Sequence, residues 1–216
     1  MTDYIEEVKT NIKKYNLKGI AALVEQAMND GVPAEDILNK GMIPAMEEIG
    51  EGFKNNTVFM PQMLAAAKTM QKGLDTIKPQ LKGDGIANRG KVIVGTVLGD
   101  VHDIGKNLVA IMCEGTGMIP VDLGMDVSDE KFLQALKDNP DVKVVGLSSA
   151  MTTTRGSAKE IAQKIKADMP DVYINIGGAT MDQMFADEIG VDGYTKDSAS
   201  AAEMMREFAE KAKGVE

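Results

Sequence analysis

The sequence predicts an N-terminal four-helix bundle followed by an α/β domain with a flavodoxin-like, doubly wound parallel sheet of five strands. Two observations predict this. Apolar residues recur every three or four positions from residue 2 to about 81, whereas short β-branched runs alternate with helical patterns after residue 90. A glycine-containing stretch, 82–90, separates the two patterns and is the candidate linker. We therefore expect a helical domain at 1–85 and an α/β domain at 86–216.

Helix-breaking residues divide the first domain into four helices. The breaks lie at 16–17, 30–33, 54–57 and 82–85. Pro33 suits the first turn of a helix, because the backbone nitrogen that it blocks has no partner there. Each segment between the breaks carries an apolar stripe, as Ile5, Val8 and Ile12 do in the first. Such stripes pack together as a helical bundle.

Five short apolar runs predict the strands of the second domain. They lie at 91–98, 119–123, 142–147, 172–176 and 193–195, and helical patterns begin near Gly105, Ser128, Arg155, Met181 and Ser198. Strands that alternate with helices form a parallel sheet. In such sheets ligands bind outside the carboxyl ends of the strands, so the residues that follow each run are the candidate site.

Composition and charge exclude several function classes. The chain of 216 residues has 24 basic and 33 acidic residues, and an acidic chain repels the phosphates of nucleic acid. No apolar run reaches the roughly 20 residues of a membrane span, and the acidic start is unlike a secretory signal, so we expect a cytoplasmic protein. One cysteine and one histidine exclude a zinc site built from those ligands.

The only histidine follows the first run, at the predicted ligand-binding edge. Asp100 lies two residues before His102, so its carboxylate can accept the proton of one imidazole nitrogen and leave the other nitrogen for a metal. A lone histidine is more often a surface or core residue, and these residues alone leave that alternative open. One imidazole cannot hold a free ion, but it can fill an axial position of a metal already held in a macrocycle.

Small and hydroxyl side chains follow the third and fourth runs. Residues 148–154 contain two serines and three threonines, and Gly177-Gly178 ends the fourth run. Glycines let a ligand approach the backbone closely, and hydroxyls can bond its polar groups. Taken singly, the threonines also suit a helix N-cap and the glycines an ordinary turn. Together they indicate a slot between strands.

The order and spacing of these residues resemble a known cofactor signature. Asp100-x-His102-x-x-Gly105 is followed after 42 residues by Ser148-x-Ala150 and after 26 more by Gly177-Gly178. This is similar to the D-x-H-x-x-G, S-x-L, G-G signature of cobalamin-binding proteins, among them methionine synthase and the stand-alone corrinoid proteins of methanol and methylamine methyltransferase systems. Ala150 stands where the signature has Leu. The resemblance covers nearly the whole chain, because those stand-alone proteins also join a helical bundle to such an α/β domain.

The resemblance implies a role for each matching residue. His102 would replace the dimethylbenzimidazole of cobalamin as the lower cobalt ligand, with Asp100 hydrogen-bonded to it and Thr154 extending that relay. Ser148 and the paired glycines would line a slot for the displaced nucleotide tail, and Gly105 would allow close approach beneath the corrin. The cofactor-binding residues implied in this domain are Asp100, His102, Asp103, Ile104, Gly105, Ser148, Ala150, Thr152, Thr154, Gly177 and Gly178.

The stretch 56–63 resembles the helical cap of methionine synthase, which covers the upper corrin face. Phe59 and Met63 are four residues apart and so share one face of a helix. They are the candidate cap residues. Phe59, Met63, Ala66 and Met70 form one apolar stripe, and the alternative interpretation is that this stripe belongs to the bundle core. That alternative is favoured for Met70.

The resemblance implies a non-catalytic methyl carrier whose cofactor is cobalamin, as methylcobalamin or cob(I)alamin, or a related corrinoid. A substrate-specific methyltransferase would load the methyl group, a second would pass it to coenzyme M or tetrahydrofolate, and a corrinoid-activating reductase would restore oxidised cofactor. A cobalamin-binding sensor is the alternative, but 216 residues leave no room for a signalling or DNA-binding module. A signalling receiver domain would need Asp where the third run ends in Ser, and a mutase subunit would need a substrate barrel.

Overall fold

The computed structural model describes residues 3–80 and 89–214, which fall into two compact units. The first unit contains the helices before residue 80, and the second contains a β-sheet with its flanking helices. The expected domain boundary after residue 85 and residues 82–88 of the candidate linker lie outside the described residues.

The first unit is helical throughout. Its α-helices are α1 (Tyr4–Lys13), α2 (Ile20–Asn29), α3 (Ala34–Asp36), α4 (Ile43–Lys54) and α5 (Met60–Ile77). Helix α3 continues into α4 through a π-helical turn, so the helix that the sequence predicts after Pro33 is one helix with a local change of winding. In that turn the Ile43 N–H bonds to the Leu38 carbonyl, five residues back. Pro44 follows directly, and it has no N–H with which to continue the regular ladder.

The second unit is built on five parallel strands. They are β1 (Lys91–Thr96), β2 (Ile119–Asp122), β3 (Val144–Ser148), β4 (Tyr173–Gly177) and β5 (Gly193–Tyr194), in the order β2-β1-β3-β4-β5. This confirms the predicted flavodoxin-like sheet. The strand order reverses between β1 and β3, and a crevice for a ligand opens at such a switch point. The loops that follow β1 and β3 carry Asp100 and Thr154 and meet there.

Helices cover both faces of the sheet. They are α6 (Ile104–Gly115), α7 (Asp129–Asp138), α8 (Arg155–Asp168), α9 (Gln183–Ile189) and α10 (Ser198–Ala212). On one face the alternate strand residues, among them Ile93, Val145 and Ile174, pack into a continuous apolar core with α7, α8 and α9. On the other face α10 packs on β3, where Met205 lies against Gly146. Among the helices of residues 3–80 and 89–214, none is long and apolar enough to cross a membrane.

Candidate functional site

A short loop after β1 holds the histidine and aspartate side by side. Asp100 is fully buried, and its Oδ1 accepts hydrogen bonds from the backbone N–H of His102 at 3.0 Å and from His102 Nδ1 at 2.7 Å. The carbonyl of His102 accepts a third bond, from Thr96 Oγ1 at the end of β1 (3.0 Å). Backbone and ring of the histidine are therefore both fixed to the strand end.

The second oxygen of Asp100 binds the loop that follows β3. Its Oδ2 accepts the backbone N–H of Ala150 at 2.7 Å and the hydroxyl of Thr154 at 3.2 Å. The Ser149 hydroxyl lies 2.7 Å from Thr154 Oγ1. When the Ser149 hydroxyl donates to Thr154 and the Thr154 hydroxyl donates to Asp100, a chain of hydrogen bonds runs from Ser149 through Thr154 and Asp100 to His102.

These hydrogen bonds decide the charge of Asp100. Burial by itself raises the pKa of this carboxyl, but the N–H groups of His102 and Ala150, the His102 ring and the Thr154 hydroxyl lower it to about 2. Asp100 is therefore a carboxylate at neutral pH and can only accept. In the neutral imidazole the proton must then sit on Nδ1, which leaves the lone pair on Nε2.

The geometry around His102 fits a large, flat metal macrocycle. The His102 side chain is 58% exposed, and no described residue bonds to its Nε2. Large apolar side chains are exposed at the same sheet edge, namely Leu98, Val101, Ile104, Met125 and Met184. An apolar ring lying on this edge would cover them. Within the described ranges no three His, Cys, Asp or Glu side chains cluster as metal ligands, so a metal at His102 would need its other ligands from a macrocycle.

Helix α6 begins directly after the histidine. Asp103 accepts from Asn107 twice, at its carbonyl (2.8 Å from the backbone nitrogen) and at Oδ2 (3.1 Å from Nδ2), and so closes the first turn. A Cβ built on Gly105 would meet no atom within 4 Å. Ile104 and Gly105 therefore present an open surface beside His102.

The predicted slot residues lie at the ends of β3 and β4. Ser148 is half-buried and pairs with Gly177 across the two strands, Ala150 contributes its N–H to Asp100, and Thr152 is exposed. Gly178 has φ +124°, and a Cβ there would stand 2.0 Å from the Ser149 carbonyl oxygen. The second glycine is thus required by the packing of two loops, whether or not a ligand is bound.

The two cap candidates of the helical unit differ in exposure. Phe59 is 64% exposed and precedes α5, and its N–H donates to Gln62 Oε1 at 2.8 Å. Met63, one turn along, has no exposed surface. A cap role for Met63 would therefore need its side chain to move, whereas Phe59 is already presented to solvent.

Sequence reasoning missed two residues that hold this site together. Asp126, in the loop after β2, accepts the Gly99 N–H at Oδ1 (2.7 Å) and donates its own N–H to the Asp100 carbonyl (3.0 Å). Its φ of +52° is unusual for a residue other than glycine, and no sequence motif marks it. Ser149 was the other; its position beside the motif residue Ser148 was the only signal.

Family comparisons match both units of the chain. A family model described as a B12 binding domain matches residues 90–203, and a second with the same description matches residues 4–78. The chain is 36% identical over 203 residues to trimethylamine corrinoid protein 2 of Methanosarcina mazei, which covers 92% of this chain and 93% of that protein. It is 34% identical to dimethylamine corrinoid protein 1 of Methanosarcina acetivorans, with coverage of 88% and 89%.

Two solved structures are similar over nearly the whole chain. A cobalamin-binding protein from Desulfitobacterium hafniense aligns with a TM-score of 0.78 and 25% identity, over 94% of this chain and 98% of that one. The methanol:cobalamin methyltransferase complex from Methanosarcina barkeri contains a chain that aligns with a TM-score of 0.85 and 24% identity, over 96% of this chain and 80% of that one. The second likeness shows the shared fold.

Proposed function

The chain belongs to the family of proteins with a B12 binding domain, and from this premise we propose that it is a corrinoid protein that carries a methyl group between two methyltransferases. One enzyme, specific for the methyl donor, would load the carrier, and a second would pass the methyl group to coenzyme M or tetrahydrofolate. A corrinoid-activating reductase would restore oxidised cofactor. The carrier would work in the cytoplasm and would have no catalytic residue of its own.

The relatives support a carrier over a sensor. The similar proteins are named as trimethylamine and dimethylamine corrinoid proteins. A cobalamin-binding sensor has no support among them.

His102 carries the proposal, because its free nitrogen faces solvent among exposed apolar side chains. When bound, the corrinoid supplies a cobalt atom that accepts a methyl group and gives it up again. His102 would hold that cobalt through Nε2, while the 2.7 Å bond from Nδ1 to Asp100 fixes the ring and the tautomer.

Asp100 would also accommodate the release of His102 from the metal. A histidine that leaves a metal can take up a proton at Nε2, and the adjacent carboxylate stabilises the resulting imidazolium. Thr154 and Ala150 hold Asp100 Oδ2, so the carboxylate keeps its place in both states. His102 would thus take up a proton when it leaves the metal and lose that proton when it binds again.

The remaining predicted residues belong to the proposal as well. Ser148, Gly177 and Gly178 would line a slot for the nucleotide tail (the tail slot), and their position at the carboxyl ends of β3 and β4 supports this. Phe59 and Met63 would cap the upper face of the corrin. The resemblance of residues 56–63 to a known cap and the exposure of Phe59 support that role.

The absorption spectrum of the purified protein tests the proposal. The wild type and His102→Ala are incubated with hydroxocobalamin, and unbound cofactor is removed. We expect the wild type to retain corrinoid with a histidine-ligated spectrum and the variant to lose that spectrum. Thr153→Ala, an exposed hydroxyl in the same turn as Thr154, is the control and should behave like the wild type. A wild type that retains no corrinoid would contradict the proposed function.

A further inference from the structure

On the α10 face of the sheet, a polar side chain lies between two glycines. Asn175 of β4 is paired with Gly146 of β3 on one side and with Gly193 of β5 on the other. Residues paired in this way point to the same face of a sheet. Asn175 is 2% exposed, so its amide is buried at the centre of a row whose neighbours have no side chains.

Two methionines of α10 cover the glycines. A Cβ on Gly146 would lie 2.4 Å from Met205 Cε, and one on Gly193 would lie 2.2 Å from Met204 Sδ. Methionine is unbranched and flexible, so it fills irregular spaces and rearranges readily. The space beside Asn175 is therefore occupied by side chains that can move aside.

The amide of Asn175 is only half satisfied. Its Nδ2 donates to Thr195 Oγ1 at 3.0 Å, but its buried Oδ1 accepts no hydrogen bond from any described residue. Ser198, which begins α10 three residues after Thr195, has a buried hydroxyl in the same condition across the described ranges. Buried oxygens without a donor are costly and rare, and a leucine at 175 would avoid that cost. The unpaired oxygens point to a ligand that brings its own donor.

Asn175 is the next position inward from the tail slot. It precedes Gly177 by two residues, which places both on the same face of β4, roughly 7 Å apart. Gly177 is paired with Ser148 at the sheet edge, where the tail slot begins. A group that enters there and continues between the sheet and α10 reaches Asn175.

We infer that Asn175 reads the base of the corrinoid's nucleotide tail and selects a base that carries a hydrogen-bond donor. This rests on the proposed function. The tail would displace the thioethers of Met204 and Met205, and Asn175 Oδ1 would accept an N–H or O–H from the base. An adenine amino group or a hydroxylated benzimidazole provides such a donor. The outer edge of dimethylbenzimidazole carries only methyl groups, so cobalamin would bind more weakly.

Three corrinoids separate this inference from the proposed function. The full-length, cofactor-free protein is titrated with cobinamide, which has no nucleotide tail, with cobalamin, and with the adenine-containing cobamide, and each Kd is measured by absorbance. The test quantity is the ratio of the Kd for cobalamin to the Kd for the adenine cobamide. A hydrogen bond to a buried acceptor changes such a ratio about tenfold.

The variant combines Asn175→Leu with Thr195→Val. Removing both partners of a buried hydrogen bond leaves no polar group stranded, so the variant should fold as well as the wild type. We expect its Kd ratio to be about tenfold lower and its affinity for cobinamide to be unchanged. Thr69→Val, which removes a buried hydroxyl from the helical unit, is the matched control and should keep the wild-type ratio.

A second measurement needs only one assigning substitution. The methionine methyl groups are labelled with ¹³C, and the Met205 signal is assigned by Met205→Leu. We expect this signal to shift when cobalamin or the adenine cobamide is added, and to stay in place with cobinamide.

The outcomes are distinct. If the wild type binds no corrinoid, the proposed function fails. If it binds all three corrinoids but the variant keeps the wild-type Kd ratio, the inference about Asn175 is wrong and the proposed function stands. The same conclusion follows if the Met205 signal does not respond to corrinoids that carry a nucleotide tail.

Discussion

At the scale of single residues, the hydrogen bonds of the site converge on Asp100. One oxygen holds His102 through its backbone and its ring, and the other holds Ala150 and Thr154 on a different loop. Four donors on one buried carboxylate keep it charged and immobile. Any substitution of Asp100 should therefore alter both the orientation of His102 and the position of the loop after β3.

Replacing Asp100 by Asn should weaken the ligation of cobalt by His102. An amide offers one acceptor where the carboxylate offers two, so either the imidazole or the Thr154 loop loses its partner. Changes of this kind beside a metal ligand cost roughly 10- to 100-fold. The fraction of bound cofactor with a histidine-ligated spectrum measures the effect. Thr153→Ala should show none, and an unchanged fraction in Asp100→Asn would remove Asp100 from the relay.

Asp100 should also make the cofactor-free protein less stable in acid. Its pKa is lowered to about 2 in the folded state, below the usual value near 3.9 in the unfolded chain. Its contribution of about 2 kcal/mol is therefore present above pH 4 and is lost as the pH falls toward 2. Urea unfolding at pH 7 and pH 3 measures it. Asp100→Asn should show a smaller loss of unfolding free energy between these pH values; an equal loss would assign the acid sensitivity to other carboxyls.

At the scale of elements, hydrogen bonds and close backbone contacts hold together the loops that follow β1, β2, β3 and β4. Asp126 pins the loop that carries Asp100, and Ser149 lies between the relay and Gly178. The strands bring these loops to one edge, but short contacts between loop backbones set the final positions. A side chain added where two of these loops touch should therefore disturb the hydrogen bonds of Asp100, even though it makes none of them.

Substitution of Gly178 tests this packing. Gly178→Ala combines a positive φ with a Cβ only 2.0 Å from the Ser149 carbonyl oxygen, so we expect a loss of about 3 kcal/mol or more in unfolding free energy. Gly190→Ala is the matched control, because Gly190 has φ +70° but open space around its Cβ. That variant should lose about 1 kcal/mol. If both variants lost the same unfolding free energy in a denaturant titration, the positive φ alone would account for the loss, and the contact with Ser149 would contribute nothing.

At the scale of the whole molecule, the described residues form two units, and the residues that we propose to bind the cofactor in the α/β unit come from loops far apart in sequence. A ligand that binds only the folded unit stabilises it by mass action. Cys113 provides a probe, because it is a buried thiol on α6 and burial raises its pKa.

Cofactor binding should slow the labelling of Cys113. A thiol reagent reaches this side chain only when the unit opens, and a ligand at 100 times its Kd lowers the open population about 100-fold. The labelling rate with and without hydroxocobalamin measures the effect. His102→Ala, at the same cofactor concentration, should show a much smaller slowing. A rate that does not respond to cofactor in the wild type would mean that binding does not stabilise the unit.

Much of this protein could be predicted from its sequence. Alternating runs of β-branched and helical residues predict a parallel sheet, because the two periods differ along the chain itself. The Asp100-x-His102 pair was predicted because two residues are close enough to hydrogen-bond in any tight loop. The π-helical turn before Pro44 was not, because its cause is a local mismatch in hydrogen bonding that no apolar period records.

By itself, then, the sequence determined the element order and predicted the edge of the sheet and the histidine that we propose for the site, since each depends on neighbours in the chain. Only the tertiary structure decided that Ser149 and Asp126 support Asp100, that Gly178 is fixed by a carbonyl, and that Asn175 is buried with an unpaired oxygen. These facts depend on distances between segments that are 20 to 54 residues apart. Such distances arise from packing, and a periodic pattern in one segment carries no record of them.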